Sequence, residues 1–312
     1  MRWHSSQIYV QLTLRNAFPF QVVCSAPASK RGSVNTQPTR PIISVLVVVF
    51  RKDISQSRTL SNLLEFPPEF KGRMELYIRD NSRTTQIDLA QISHAGFFNT
   101  LLDHDGSNQA LGSVYRNFTA KAKGLILFFL DDDTDISQEY VNEATESLEP
   151  HLTFCANVLC VPRIYNKQNQ IYSPSEYRVF RGKLFPKIAP GRYSNLNAIM
   201  SGLAVPRYYL ASMGPSAFST RSRLYSVDTM FMCAHAKKKG ITIVCKSKIS
   251  HDLSRDSQRR PMDELRRSWL EAIGIFWTVI NYRKPWIPAL PLYLIYFASR
   301  RLVLAFRLAL AR

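Results

Sequence analysis

The sequence predicts an α/β fold: a mostly parallel central sheet flanked by helices, followed by a helical C-terminal extension. Three observations carry this. Short, β-branched, continuous apolar runs recur along the first half of the chain, as strands covered on both faces require. Segments of helical period separate them, and alternation of the two implies an α/β sheet. With 312 residues and 46% hydrophobic content, the chain can bury a full core.

Residues 25–41 (SAPASKRGSVNTQPTRP) are polar, basic and Pro-containing with no apolar period, so residues 1–40 read as a disordered or loosely ordered leader. Polar and basic residues interrupt Ile8 to Val23, which argues against a cleaved secretory signal. Ile42 to Phe50 (IISVLVVVF) is the first buried strand, and Met74 to Ile78 and Leu125 to Leu130 are further ones. Between them, Leu111 to Ala122 places Leu111, Val114, Tyr115 and Phe118 on one helical face. A second helix is expected over Gln138 to Leu148, with Asp135 or Ser137 as N-cap and Glu139 at its positive end. A third runs over Val227 to Lys239, stopped by Gly240, and a strand follows at Ile241 to Val244. A boundary near Pro261 gives three segments: the leader, a folded α/β domain over 41–262 and a basic, apolar helical extension over 263–312.

The formal net charge of +18 favours polyanionic partners: nucleic acid, anionic lipid headgroups or phosphorylated substrates. No zinc-finger spacing or other nucleic-acid module is present, so nucleic acid is not the expected partner. The five cysteines (Cys24, Cys155, Cys160, Cys233, Cys245) are odd in number and form no C-x-x-C pair. They suggest neither a disulfide framework nor a zinc site, and fit a reducing cytosol.

The chemistry-bearing feature is GLILFFLDDD, residues 124–133. It is a buried strand that delivers Asp131, Asp132 and Asp133 at its carboxyl end, where open α/β sheets bind ligands. Asp135 follows. Clustered carboxylates repel one another, and a divalent cation such as Mg²⁺ or Mn²⁺ compensates; the competing reading is a solvated acidic turn.

On these residues the chain resembles the family 2 glycosyltransferases of GT-A fold, over about Ile42 to His251. Ile43 to Phe50 looks like the family's opening strand, with Val48, Val49, Phe50 and Arg51 replacing the usual Pro-x-Tyr-Asn ending. Leu76 to Ser82 (LYIRDNS) resembles the second strand and its Asp-x-x-Ser turn, which implies that Asp80 accepts a hydrogen bond from the donor nucleobase. Asn108, Gly112, Asn117, Ala120 and Gly124 are similar to the Asn-rich helix that enters the metal strand. Asn117 is thereby either a donor contact or a helix-surface amide. Asp131 to Asp133 stand where the family has its Asp-x-Asp motif. The resemblance implies Asp133 as direct metal ligand and Asp131 as a contact to the donor ribose or metal-bound water, with Asp132 in either task. Ser201 to Ala204, Arg207 and Gly214 look like the acceptor loop, with Gly202 admitting substrate to the backbone. Asp228 in YSVDTMF matches the general base, or else is a helix cap; Val227 replaces the family's first acid. His251 resembles the late histidine that joins the metal or touches the pyrophosphate.

The activity implied is inverting transfer of a hexose or deoxyhexose from a nucleotide-sugar donor to a glycan or lipid-linked acceptor, as in bacterial surface-polysaccharide assembly. Two alternatives stand: an inactive family member that binds membranes or partners, and a sugar nucleotidyltransferase. The latter should carry a Gly-rich phosphate loop, which Phe50-Arg51-Lys52-Asp53 is not. In the C-terminal segment, neither apolar piece reaches the roughly 20 residues that span a bilayer. On a helical wheel Arg300, Arg301, Arg307 and Arg312 share an arc opposite Leu302, Phe306 and Leu310, with Leu304 and Leu308 on the basic side. Such a helix suits an anionic membrane surface, with Trp277, Trp286 and Tyr293 as interfacial anchors. The expected location is cytoplasmic, peripheral on the inner face of the plasma membrane. The other reading is a helix packed on the catalytic domain.

Overall fold

The computed structural model describes residues 42–152, 156–166, 168–177, 182–185, 187–221, 223–251, 261–282 and 284–310. The leader, Cys24, Cys155 and Arg312 lie outside them. Strands in chain order are β1 (Ile43–Val49), β2 (Met74–Asp80), β3 (Asn99–Asp103), β4 (Ile126–Asp131), β5 (Val158–Tyr165), β6 (Ile171–Ser173), β7 (Ser175–Tyr177), β8 (Gly182–Leu184), β9 (Gly191–Ser194), β10 (Leu196–Asn197), β11 (Leu203–Pro206) and β12 (Ile241–Ser250). Helices are α1 (Arg58–Glu65), α2 (Pro68–Lys71), α3 (Leu89–Ser93), α4 (Leu111–Lys121), α5 (Gln138–Leu148), α6 (Arg207–Met213), α7 (Val227–Lys237), α8 (Pro261–Tyr282) and α9 (Leu290–Leu310).

The main sheet has the order β3-β2-β1-β4-β11-β5-β12-β9, with β6 on β5. Its first four strands are parallel, and β5 pairs in parallel with β12. Because β11 is antiparallel to both β4 and β5, those two strands share one direction across it. A small second sheet runs β10-β7-β8.

The continuous apolar runs follow from burial on both faces. Along β4, Ile126, Phe128 and Leu130 enter one core with Leu60 and Leu63 of α1 and Tyr140 of α5. Leu127 and Phe129 enter the other, with Phe118 of α4 and Phe231 of α7. The helices expected at 111–122 and 138–148 form α4 and α5, and Ser137 caps α5 by accepting from Tyr140 N at 3.2 Å. Asp135 is occupied elsewhere.

Two elements differ from expectation. The last strand runs to Ser250 rather than Val244, with an irregular register between Val244 and Lys248. Polar KSKIS alternates buried and exposed, which an apolar-run criterion does not recognise. Pro162 of β5 lies opposite that break, where its missing N–H costs no regular ladder bond. The third helix closes at Lys237; the left-handed residue after it is Lys239 (φ 55°), and a Cβ on Gly240 would fall 2.1 Å from the His235 ring, so packing selects glycine there.

Candidate active site

A cleft of about 770 Å³ opens where β1 and β4 end, lined by Val48, Tyr115, Asp131, Asp133, Asp228 and His251 among others. The carboxyl ends of parallel strands are the expected ligand position in such a sheet.

The turn after β4 is held from several sides. Ser57 and Thr59, at the start of α1, bond its backbone: Ser57 Oγ donates to Asp132 O at 3.1 Å and Thr59 Oγ1 to Thr134 O at 2.9 Å. Thr134 N in turn donates to Thr59 Oγ1 at 3.0 Å. Behind the strand, Asp131 N donates to Ser201 Oγ at 3.1 Å, and Ser201 Oγ also meets Thr134 Oγ1. These contacts fix the main chain and leave the carboxylates to face the cleft.

Asp131, Asp133 and His251 come together: one donor atom from each lies within 4.8 Å of the others. His251 Nδ1 is 3.1 Å from Asp133 Oδ1, and Nε2 is 3.8 Å from Asp131 Oδ2. Despite that proximity, Asp133 Oδ1 is buried without an aligned hydrogen bond. Burial pushes the Asp131 carboxyl up, His251 opposes this, and Asp133, Asp132 and Asp228 add to it. Asp133 is likewise raised, first by burial, against the pull of His251. Two carboxylates and an imidazole sharing one spot, with a buried oxygen lacking a partner, are a donor set suited to a divalent cation. Asp131 keeps 40% of its side chain exposed, so the cleft admits one.

Asp132 does not join them. Its Oδ1 accepts from Lys52 Nζ at 2.7 Å and its Oδ2 from Phe50 N at 3.2 Å, tying the turn to the end of β1. Asp135 is a clip between segments: it accepts from Asn62 Nδ2 at 2.7 Å and from Ser250 Oγ at 3.1 Å, and its N donates to Ser250 O at 3.0 Å. That clip brings the end of β12, and hence His251, to the turn.

Asp228 lies in the first turn of α7, where helix N–H groups favour the anion. Its Oδ1 accepts from Thr229 N at 2.7 Å, so it satisfies a helix-end donor while lining the cleft. Burial raises the Tyr115 hydroxyl, and the charges of Asp131 and Asp228 add to the effect. Ser226, just before the helix, has φ 67°. Val227, at the position of the missing acid, is buried in the core beneath.

Asp80 ends β2 fully buried. Its Oδ1 accepts from Ser82 N at 2.8 Å, and its Oδ2 has no hydrogen-bond partner. Asn81 beside it lines the cleft and is held by Arg79, whose buried guanidinium also pairs with Asp105 at 2.6 Å.

Three expected residues do not line the cleft, and fully buried Asp80 is the first of them. Asn117 is exposed on α4 and does not line the cleft; Asn108 and Leu111 do. Gly202 has φ 85°, and a Cβ there would meet Pro162 at 2.7 Å and Ile249 at 2.8 Å. Its close approach is therefore to core side chains and not to a ligand. Lys52, Thr59 and Ser201 carry no sequence signal for these contacts, because each acts through a partner more than 65 residues away. On α8, Arg267 and Glu271 line the cleft with Ile275, joined by Phe297 of α9; Arg267 Nε and Glu271 Oε1 are 3.2 Å apart.

No protein-family model matches the chain, and no curated protein does. Among solved structures, the chain is similar to GalNAc-T7, crystallised with UDP, GalNAc and Mn²⁺: TM-score 0.53 at 12% identity, over 79% of this chain and 57% of that one. It is also similar to S. aureus TarS, with TM-score 0.46 at 14% identity over 77% of this chain and 40% of that one. The chain thus spans about 40–57% of the length of these two proteins. The fold is the α/β architecture of GT-A type that the resemblance implied, with a mostly parallel central sheet flanked by helices.

Proposed function

We propose that this protein is a glycosyltransferase of the family 2 kind, moving a hexose or deoxyhexose from a nucleotide-sugar donor to an acceptor hydroxyl with inversion. The observation that carries the reading is the convergence of Asp131, Asp133 and His251 at the mouth of β4, with Asp228 on the same cleft. The relative of like fold that holds UDP and Mn²⁺ supports it.

In this reading Asp131, Asp133 and His251 hold Mg²⁺ or Mn²⁺, which when bound supplies positive charge to the departing diphosphate. Asp80 is fully buried and does not line the cleft, so the nucleobase contact that the resemblance gives it is not part of this reading; Asn81 beside it does line the cleft. Asp132 also lines the cleft, and its bond to Lys52 shapes the turn on which the donor would rest. Asp228 removes the acceptor proton as the acceptor oxygen bonds to the anomeric carbon. The bond from that carbon to the nucleoside diphosphate breaks in the same displacement, on the opposite face.

The exposed apolar residues of the C-terminal helices and the +18 charge support a place on an anionic membrane surface; the inner face of the plasma membrane and a bacterial polysaccharide pathway rest on the resemblance alone. No described helix is long and apolar enough to cross a membrane. The anchors differ from those expected. Trp286 is exposed, while Trp277 is half-buried under Arg221 and Tyr293 stacks on Phe297. Trp269 and Tyr296 are exposed in their place. The basic arc of Arg300, Arg301, Arg307 and Arg312 lies outside the described side chains.

The reading is tested by incubating the protein with a panel of nucleotide-sugars and following release of nucleoside diphosphate. Release that requires Mg²⁺ or Mn²⁺ with at least one donor is expected; no release with any donor would reject it.

A further inference from the structure

The helix α9 has two apolar faces. Leu290 and Phe297, seven positions apart, are buried, and Phe297 lines the cleft beside Ile275 of α8. On the other side Leu292, Ile295, Tyr296 and Leu302 recur at helical spacing and are 55–73% exposed. Trp286 and Ile287, in the turn leading into α9, and Trp269 on α8 are also exposed. A soluble surface helix places polar residues on its outer face. Here the described outer positions are largely apolar as well, and the 21 residues of α9 include three arginines and no acid.

Resting on the transferase reading of the cleft, we propose that the acceptor is an amphiphile presented at an anionic lipid surface. The outer face of α9 enters the headgroup boundary, and the acceptor's apolar tail runs against Ile275 and Phe297 with its hydroxyl head toward Asp228. Charge selects the surface: a helix with arginines and no acid, on a chain of +18, is drawn to anionic lipid. Exposed Trp and Tyr rings suit the headgroup level. One helix carries both the lipid-facing residues and a cleft-lining one, so an acceptor anchored in the bilayer meets the cleft without leaving its membrane.

The test uses the full chain and a decyl β-glucoside bearing a diazirine at the end of its alkyl tail. After illumination and digestion, saturable labelling is expected on the peptides that carry Ile275 and Phe297. Unlabelled decyl glucoside should suppress it at least 10-fold, and methyl glucoside at equal concentration should not. In parallel, Leu292→Glu combined with Ile295→Glu should lower binding to phosphatidylglycerol vesicles at least 10-fold; both positions are exposed, and circular dichroism checks the fold. Labelling away from α8 and α9, equal competition by methyl glucoside, or unchanged vesicle binding by the double variant would each overturn the proposal. Metal-dependent release of nucleoside diphosphate without acceptor, measured on the same protein, is a separate readout, so loss of the transferase reading is distinguishable from loss of this one.

Discussion

Asp135 and Ser250 are joined twice, by Asp135 N to Ser250 O at 3.0 Å and by Ser250 Oγ to Asp135 Oδ2 at 3.1 Å. This places His251, the next residue, against the turn that carries Asp131 and Asp133. Asp135 belongs by sequence to the acidic cluster, yet its work is to position the histidine.

Asp135→Ala should therefore weaken Mn²⁺ binding by about 10–100-fold, the usual cost of losing a residue that orients a ligand. No proposed coordinating atom is removed. Isothermal titration on the wild type and the variant measures this, and an unchanged affinity would show that β12 docks without the clip.

Asp228→Asn should leave donor binding intact and lower turnover by about 10²–10⁴-fold, the range of positioned proton transfer. An amide oxygen can still accept from Thr229 N, so the bond now made by Asp228 Oδ1 survives. Turnover near that of the wild type would leave Asp228 with a helix-end role alone.

Gly202→Ala should destabilise the fold by about 2–4 kcal/mol. A side chain at φ 85° is strained, and its Cβ would press on Pro162 and Ile249. Chemical denaturation reads the change. If stability holds but acceptor use falls, the substrate-side role expected from sequence would be restored.

Much of the sheet was legible because β1, β2 and β4 are buried on both faces, and such strands announce themselves as unbroken apolar runs. The acidic turn was legible for the same reason: three carboxylates directly after six apolar residues are hard to place anywhere but a strand end. The antiparallel insertion of β11 was not, since LAVP is short and its partners lie about 75 residues back in β4. Nor was the division of labour among Asp131, Asp132 and Asp133. That depends on Lys52 and His251, which only the sheet brings to the turn. The helix of Asn117 was correctly expected, but its face toward the cleft could not be read, because a 3.6-residue period identifies the core side and says nothing of which polar edge meets a ligand.

Burial lowers the His235 imidazole to about 4, against a smaller opposing contribution from a backbone bond to Ile241. Its Nδ1 is 2.7 Å from the Tyr209 hydroxyl. Since the unfolded chain binds this proton at the ordinary 6.5 and the folded chain does not until about 4, stability is full above pH 6.5. It falls as pH drops between the two values, by about 3 kcal/mol at most. Denaturation of the wild type and His235→Gln in chelator across pH 4–7 should show a shallower pH slope in the variant. Parallel slopes would mean that His235 is not a source of acid lability.

The central claim, that Asp131, Asp133 and His251 form one divalent-cation site, is most directly tested by titrating Mn²⁺ into the protein and following the free-ion electron paramagnetic resonance signal. The wild type should bind one equivalent. Asp133→Ala should lose that site while its circular dichroism stays unchanged, because removing one carboxylate from a repulsive cluster costs the fold little. An Asp133→Ala protein that binds Mn²⁺ with the affinity of the wild type would contradict it.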